Sequence, residues 1–233
     1  MPGDPRIIVA LDYATAEEAE AFVARVAPGR CRLKVGLELY TAAGPAFVGG
    51  LVDRGFNVFL DLKFHDIPNT VERACRQAAG LGVDLLTVHC LGGRRMLEAA
   101  CTAARAGGSR ARVIGVTLLT SLGPEDTQEI GLGGDIAART AALAALARAA
   151  GLDGVVCAPT EAQDLRARFG SGWLLVTPGI RPAGSASGDQ QRTLTPREAA
   201  ARGADLLVIG RPITRAPDPM QALAEIEREL AGV

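Results

Sequence analysis

Short runs of Val, Ile and Leu recur along the chain, and each is followed by an Ala-rich stretch whose apolar positions have helical spacing. That alternation predicts βα units around a parallel sheet. Eight strands are expected, at residues 6–12, 31–37, 57–63, 84–89, 112–118, 154–158, 173–177 and 205–209. Polar residues mark the starts of the intervening helices: Thr15 ahead of Glu17 and Glu18, Asn69 or Thr70 ahead of Glu72, Thr160 ahead of Glu161, and Asp218 ahead of a last helix through Leu230. Several helices end near glycine, and Gly131 to Gly134 reads as a turn. Eight regular units suit the lower end of the size range of a (βα)8 TIM barrel, and a doubly wound sheet would not need so many. The expectation is an α/β protein with one (βα)8 barrel domain over residues 1–233, with no linker arguing for two.

In such a barrel the chemistry sits at the C-terminal ends of the strands. The third predicted strand ends in Asp61-Leu-Lys-Phe-His-Asp66, where three charges fall within six positions. Asp61 and Lys63 are two apart and leave one face of a strand, while Leu60, Leu62 and Phe64 take the other. Removing such charges from water costs roughly several kcal/mol each unless they are paired, so the pattern is either a mutual salt-bridge network or a site. Other strands deliver polar groups to the same rim: Asp12 from the first, Lys34 from the second, His89 from the fourth, Thr117 and Thr120 after the fifth. Five otherwise apolar strands doing so are hard to explain as core packing.

Two later stretches suit a phosphate. Residues 177–184, Thr-Pro-Gly-Ile-Arg-Pro-Ala-Gly, follow the seventh strand, and Gly210-Arg-Pro-Ile-Thr214 follows the eighth. Glycine lets backbone N–H groups approach an anion there and arginine adds a planar fork of donors, Arg211 being the better placed. The Gly-, Ser- and Gln-rich residues 182–192 are either a loop that closes over a ligand or a plain insertion.

Bulk composition removes several classes of function. With 25 basic and 26 acidic residues there is no basic field for nucleic acid, and no aromatic stripe for base stacking. Five scattered cysteines without a CxxC spacing suit reduced thiols rather than disulfides or zinc. Two histidines, His65 and His89, are poor material for a metal centre, so His89 reads as a hydrogen-bonding barrel residue. No signal-peptide pattern and no span of eighteen apolar residues occurs, so a soluble cytoplasmic protein is expected. Neither a GxGxxG opening the first helix nor a P-loop appears, which leaves a dinucleotide cofactor or ATP-driven chemistry without support.

The string Asp61-Leu-Lys-Phe-His-Asp-Ile-Pro-Asn-Thr70 closely resembles the signature of the orotidine 5′-phosphate decarboxylase family. The similarity continues through Val9-Ala-Leu-Asp12, Leu33-Lys-Val-Gly36, Thr87-Val-His89, Thr117-Leu-Leu-Thr-Ser121, Thr177-Pro-Gly-Ile-Arg181, Asp189-Gln190 and Ile209-Gly-Arg211. The resemblance implies decarboxylation of orotidine 5′-phosphate to UMP in pyrimidine biosynthesis, with no cofactor and no metal. It implies that Lys34, Asp61, Lys63 and Asp66 form an alternating charged array, with Lys63 giving the proton to C6. Asp12 and Lys34 would hold the ribose, Thr120 would lie beside the pyrimidine, and Arg181, Gln190, Gly210 and Arg211 would hold the phosphate. A homodimer is implied in which Asp66, Ile67 and Thr70 reach the neighbouring subunit's site. His65 is assigned no role. The alternatives are a Mg-dependent sugar-phosphate decarboxylase or synthase of a related barrel, and a silent nucleotide-binding barrel.

Overall fold

A computed structural model describes residues 5–182 and 193–232 of the chain. Its eight strands are β1 (Ile7–Ala10), β2 (Arg32–Gly36), β3 (Val58–Phe64), β4 (Leu85–His89), β5 (Arg112–Val116), β6 (Gly154–Val156), β7 (Leu174–Thr177) and β8 (Leu206–Ile209). They pair in parallel, each with the next in sequence, and β8 returns to β1, so the sheet closes into a barrel. All eight lie where the apolar runs predict them, seven trimmed by one or two residues at one or both ends and β3 shifted by one residue, to end at Phe64. The trimming has a cause at the second strand, where Leu37 opens the helix Leu37–Asp53 instead of extending β2.

The barrel buries apolar side chains in two layers. Ile8, Ala10, Phe59, Leu85, Ile114, Val176, Leu206 and Val208 plug the interior. The other face of the strands, with Val9, Leu33, Leu60, Leu86, Val113 and Leu207, packs on the helices in a larger cluster. On β3 the sequence alternation is realised in this way: Phe59 belongs to the inner plug, while Leu60, Leu62 and Phe64 belong to the outer cluster. Position parity therefore decides which residues reach the inside of the barrel.

Helix starts follow local chemistry. Thr15 caps Ala16–Val23 through a hydrogen bond from the Glu18 N–H, and Asp218 caps Pro219–Leu230 by accepting from Met220 and Gln221. Two expected starts are displaced. The helix after β3 begins at Pro68 and not after Asn69 or Thr70, because proline presets helical φ and lacks the N–H that the first turn would leave without a partner. The helix after β6 begins at Ala162, with Glu161 rather than Thr160 at its cap position. The Glu161 carboxylate accepts from the Ala158 N–H at 2.8 Å and from Thr140 Oγ1 at 3.4 Å, which ties the end of β6 to the helix Ile136–Ala149. Among the described residues no helix is long and apolar enough to cross a membrane.

Candidate active site

Inward-facing positions at the C-terminal ends of the strands open into a cavity of about 340 Å³. Its floor is the top of the apolar plug, with Ala10, Phe59, Val156 and Val208. Above the floor, Asp12 follows β1, Lys34 comes from β2, and Asp61 and Lys63 come from β3. Three salt bridges connect the four: Lys34 Nζ lies 3.1 Å from Asp12 Oδ1 and 3.8 Å from Asp61 Oδ2, and Lys63 Nζ lies 2.9 Å from Asp61 Oδ1. The sequence left open whether this is a network or a site. The geometry joins both readings, because the charges neutralise one another in sign and all line the same cavity.

Burial is graded along the array. The side chains of Lys34 and Asp61 are 12% and 13% exposed, and that of Lys63 is 32% exposed. Lys63 is thus the ammonium that a ligand in the cavity can reach most readily. Gly36 makes room beneath it for the other lysine, since a Cβ there would come within 3.0 Å of Lys34 Nζ.

The β3 backbone does not stay regular as far as Lys63. Pairing with β4 runs Phe59 to Leu85 and Leu60 to Leu86, then resumes only at Phe64 and Val88. Lys63 has φ of 50°, the one positive φ at a non-glycine residue among those described. Left-handed backbone costs a non-glycine residue about 1–2 kcal/mol, and such strain persists only where the surroundings hold it. Here the Lys63 N–H donates to Thr87 Oγ1 of β4 at 2.8 Å, and that hydroxyl donates to Asp61 Oδ1 at 3.1 Å.

Cations also line the cavity. Arg181 and Arg211 line the cavity with Pro178, Gly179 and Gly210 from the loops after β7 and β8. Burial first, and then the charge of Arg211, lower the Arg181 pKa from its usual value. Two neighbouring guanidiniums give this part of the cavity a positive potential. Arg181 is fixed by its N–H bond to Leu194 O at 2.9 Å, beside a bridge between Ile180 and Leu194. Thr120 and Ser121, with Leu118 and Leu119, line the cavity from the segment after β5.

Not every predicted residue joins this set. Thr117 is fully buried and donates to Val156 O at 2.9 Å, so it ties β5 to β6 and faces away from the cavity. His89 also lies outside it, stacked on His65 with ring centroids 5.2 Å apart. Burial first, then His65 and Lys63, push its pKa down to about 4, and its Nδ1 accepts the Leu91 N–H. Asp66, Ile67 and Thr70 are exposed and do not line their own chain's cavity. The Asp66 carboxylate accepts the Ile67 N–H at 2.6 Å, and the Ile67 side chain projects outward with 66% of its surface open. Asp189 and Gln190 fall outside the described residues. Thr87 was not singled out in the sequence, and the signal that could have found it is its parity with Leu85, which puts it inside the barrel.

Among the described residues no group of three or more His, Cys, Asp or Glu side chains is arranged to hold a metal ion. A closed parallel barrel whose strand ends hold paired lysines and carboxylates, facing two arginines in the last two loops, belongs to the phosphate-binding (βα)8 enzymes. More particularly, the chain belongs to the Orotidine 5′-phosphate decarboxylase / HUMPS family, whose model matches residues 5–226. It is 57% identical over 232 residues to the orotidine 5′-phosphate decarboxylase of Halorhodospira halophila, a match that covers 100% of this chain and 98% of that one. The enzyme of the same name from Nitrosococcus oceani is 55% identical, with 98% of both chains covered. The crystal structure of orotidine 5′-phosphate decarboxylase from Lactobacillus acidophilus superposes with a TM-score of 0.86 at 37% identity, covering 97% of this chain and 99% of that one.

Proposed function

We propose that this protein is a carbon-carbon lyase that converts orotidine 5′-phosphate to UMP and CO2 in pyrimidine biosynthesis, in the cytoplasm. The observation that carries this reading is the Lys34, Asp61, Lys63 array above the apolar plug, in one cavity with Arg181 and Arg211. That layout separates a charged reaction centre from an anion subsite, as decarboxylation of a phosphorylated nucleotide requires. Relatives of the same length with more than half their residues identical bear this activity in their names.

In the reaction the bond from C6 to the carboxylate carbon breaks, CO2 leaves, and an electron pair stays at C6 in the plane of the pyrimidine ring. π delocalisation cannot take up that pair, so stabilisation has to be electrostatic. The Lys63 ammonium is a fixed positive charge beside it, and a preorganised charge acts most strongly where water is excluded. Lys63 then gives its proton to C6 and is left as a neutral amine, which solvent reprotonates. Asp61, bonded to Lys63 Nζ at 2.9 Å, keeps the ammonium aimed, and Lys34 balances the charge of Asp61. Asp12 and Lys34 hold the ribose, and Thr120 borders the base. Arg181, Arg211 and the Gly210 backbone hold the phosphate, and the family resemblance adds Gln190. Their binding energy, gained far from C6, is what can raise the rate of the chemical step.

The exposed Asp66, Ile67 and Thr70 complete the site of a second copy in a homodimer. This accounts for an isoleucine left largely open to solvent on one chain. All the chemistry is supplied by side chains, so neither a metal nor an organic cofactor takes part. The test is to follow the ultraviolet absorbance of orotidine 5′-phosphate with purified protein in EDTA. Conversion to UMP is the expected result. Turnover that appears only with Mg2+, and only on a sugar phosphate, would replace this reading with that of the sugar-phosphate branch of the family.

A further inference from the structure

The irregularity of β3 lies where the chemistry does. Between the regular pairs Leu60 to Leu86 and Phe64 to Val88, the three residues Asp61, Leu62 and Lys63 stand against the single residue Thr87. A bulge of this kind re-aims a side chain, and it deprives backbone groups of their ladder partners. The Lys63 N–H is one such group, and the hydroxyl of Thr87 takes it at 2.8 Å.

That hydroxyl has one proton to give, and it goes to Asp61 Oδ1 at 3.1 Å. The same carboxylate oxygen receives Lys63 Nζ at 2.9 Å. The bonds close a ring that runs from the Lys63 N–H to Thr87 Oγ1, on to Asp61 Oδ1 and back to the Lys63 ammonium. Lys63 is therefore gripped at its backbone and at its tip through a single hydroxyl. Thr87 is fully buried, so no solvent water stands ready to replace it. Its β-branched side chain is stiff at χ1, which fixes the hydroxyl in place.

We infer that Thr87 is a positioning residue for the decarboxylation, holding Lys63 in its left-handed backbone conformation and its ammonium on target. The inference rests on the reading of Lys63 as proton donor. Threonine, unlike valine, both accepts the orphaned N–H and donates to the carboxylate, and serine keeps both functions. Thr87→Val preserves the shape of the side chain and leaves the Lys63 N–H and one Asp61 lone pair without their partner in a dry place.

The experiment compares wild type, Thr87→Val and Thr87→Ser in steady-state turnover of orotidine 5′-phosphate, with UMP binding measured alongside. Thr87→Val should lower kcat by about 30-fold, the scale expected when a reacting group is slightly misplaced, while KM and UMP affinity move by less than about 3-fold. Thr87→Ser should return kcat to within about 3-fold of wild type. If Thr87→Val does not fold, Thr87→Cys serves, because it is close to serine in shape but its thiol is a poor hydrogen-bonding group, and it should show the same loss in kcat. Unimpaired kcat in the valine variant would overturn the inference, as would equal losses in kcat and nucleotide affinity that serine does not repair. Absence of turnover by the wild type would instead overturn the functional reading beneath it.

Discussion

The two ends of this barrel carry the same kinds of charge and use them differently. At the N-terminal end, three aspartates stand just ahead of β4, β6 and β8. Asp84 pairs with Arg112 at 2.8 Å and with the buried Arg32. Asp153 accepts the Val113 N–H at 2.8 Å and Arg105 at 3.1 Å, and Asp205 accepts the Leu175 N–H at 2.7 Å and Arg166 at 2.5 Å. Every cation in these pairs is an arginine, whose guanidinium does not lose its proton in proteins. At the C-terminal end the cations paired with carboxylates are lysines, which can give a proton up. The arginines there, Arg181 and Arg211, line the same cavity from the loops after β7 and β8. The lower ring therefore fastens strands together, whereas the upper array opens onto a cavity.

The sharpest way to break the comparison is at the upper end. Lys63→Ala and Asp66→Ala should each lose activity by on the order of 10³-fold or more. Co-refolded in equal amounts, the two inactive proteins should regain about a quarter of wild-type activity, because half the dimers then hold one intact site. No recovery would mean that Asp66 acts within its own chain. Arg211→Ala should raise KM for orotidine 5′-phosphate by about 100-fold, as loss of a hydrogen bond to a charged group implies, and be nearly silent with orotidine itself. Equal losses on both would remove Arg211 from the phosphate.

At the lower end the effect should fall on stability alone. Asp84→Asn leaves Arg32, 1% exposed, without its carboxylate and should cost about 3 kcal/mol in urea unfolding, with kcat of the folded enzyme unchanged. The smallest expected effect near neutral pH is that of His89, whose pKa is lowered from 6.5 to about 4. Above pH 6.5 native and unfolded chains both hold it neutral. Between pH 6.5 and 4 the unfolded chain takes up the proton and the native one does not, so stability falls as pH falls through that window. His89→Gln should flatten this slope in unfolding measured across the same range, and an unchanged slope would assign it to other groups.

Most of the architecture was legible because apolar runs and parity answer to burial, which a barrel imposes on every strand. Parity also placed Asp61 and Lys63 in one cavity. It could not reveal how Lys63 gets there, since no glycine or proline marks the bulge and a lysine with positive φ has no signature in sequence. Thr117 was placed on the rim by its position at the strand end alone, and parity would have turned it away, since it stands one position off the inward-facing Val116. Asn69 and Thr70 look like caps, yet Pro68 starts the helix ahead of them. The lower ring had a visible sign that passes easily for three ordinary turns: Gly82-Val-Asp84, Gly151-Leu-Asp153 and Gly203-Ala-Asp205 repeat one pattern, each glycine at positive φ. Asp66, Ile67 and Thr70 could be singled out only by resemblance, because they are exposed and follow no periodic pattern that would set them apart from other surface residues.

If the chemistry passes through the ammonium of Lys63, removing that ammonium must stop turnover and spare nucleotide binding. Wild type and Lys63→Ala are assayed side by side for loss of the orotidine 5′-phosphate absorbance, and each is titrated with UMP. The expected result is turnover by the wild type, none by the variant, and UMP affinity retained within about tenfold, since Arg181 and Arg211 are untouched. Turnover by Lys63→Ala at the wild-type rate would contradict it.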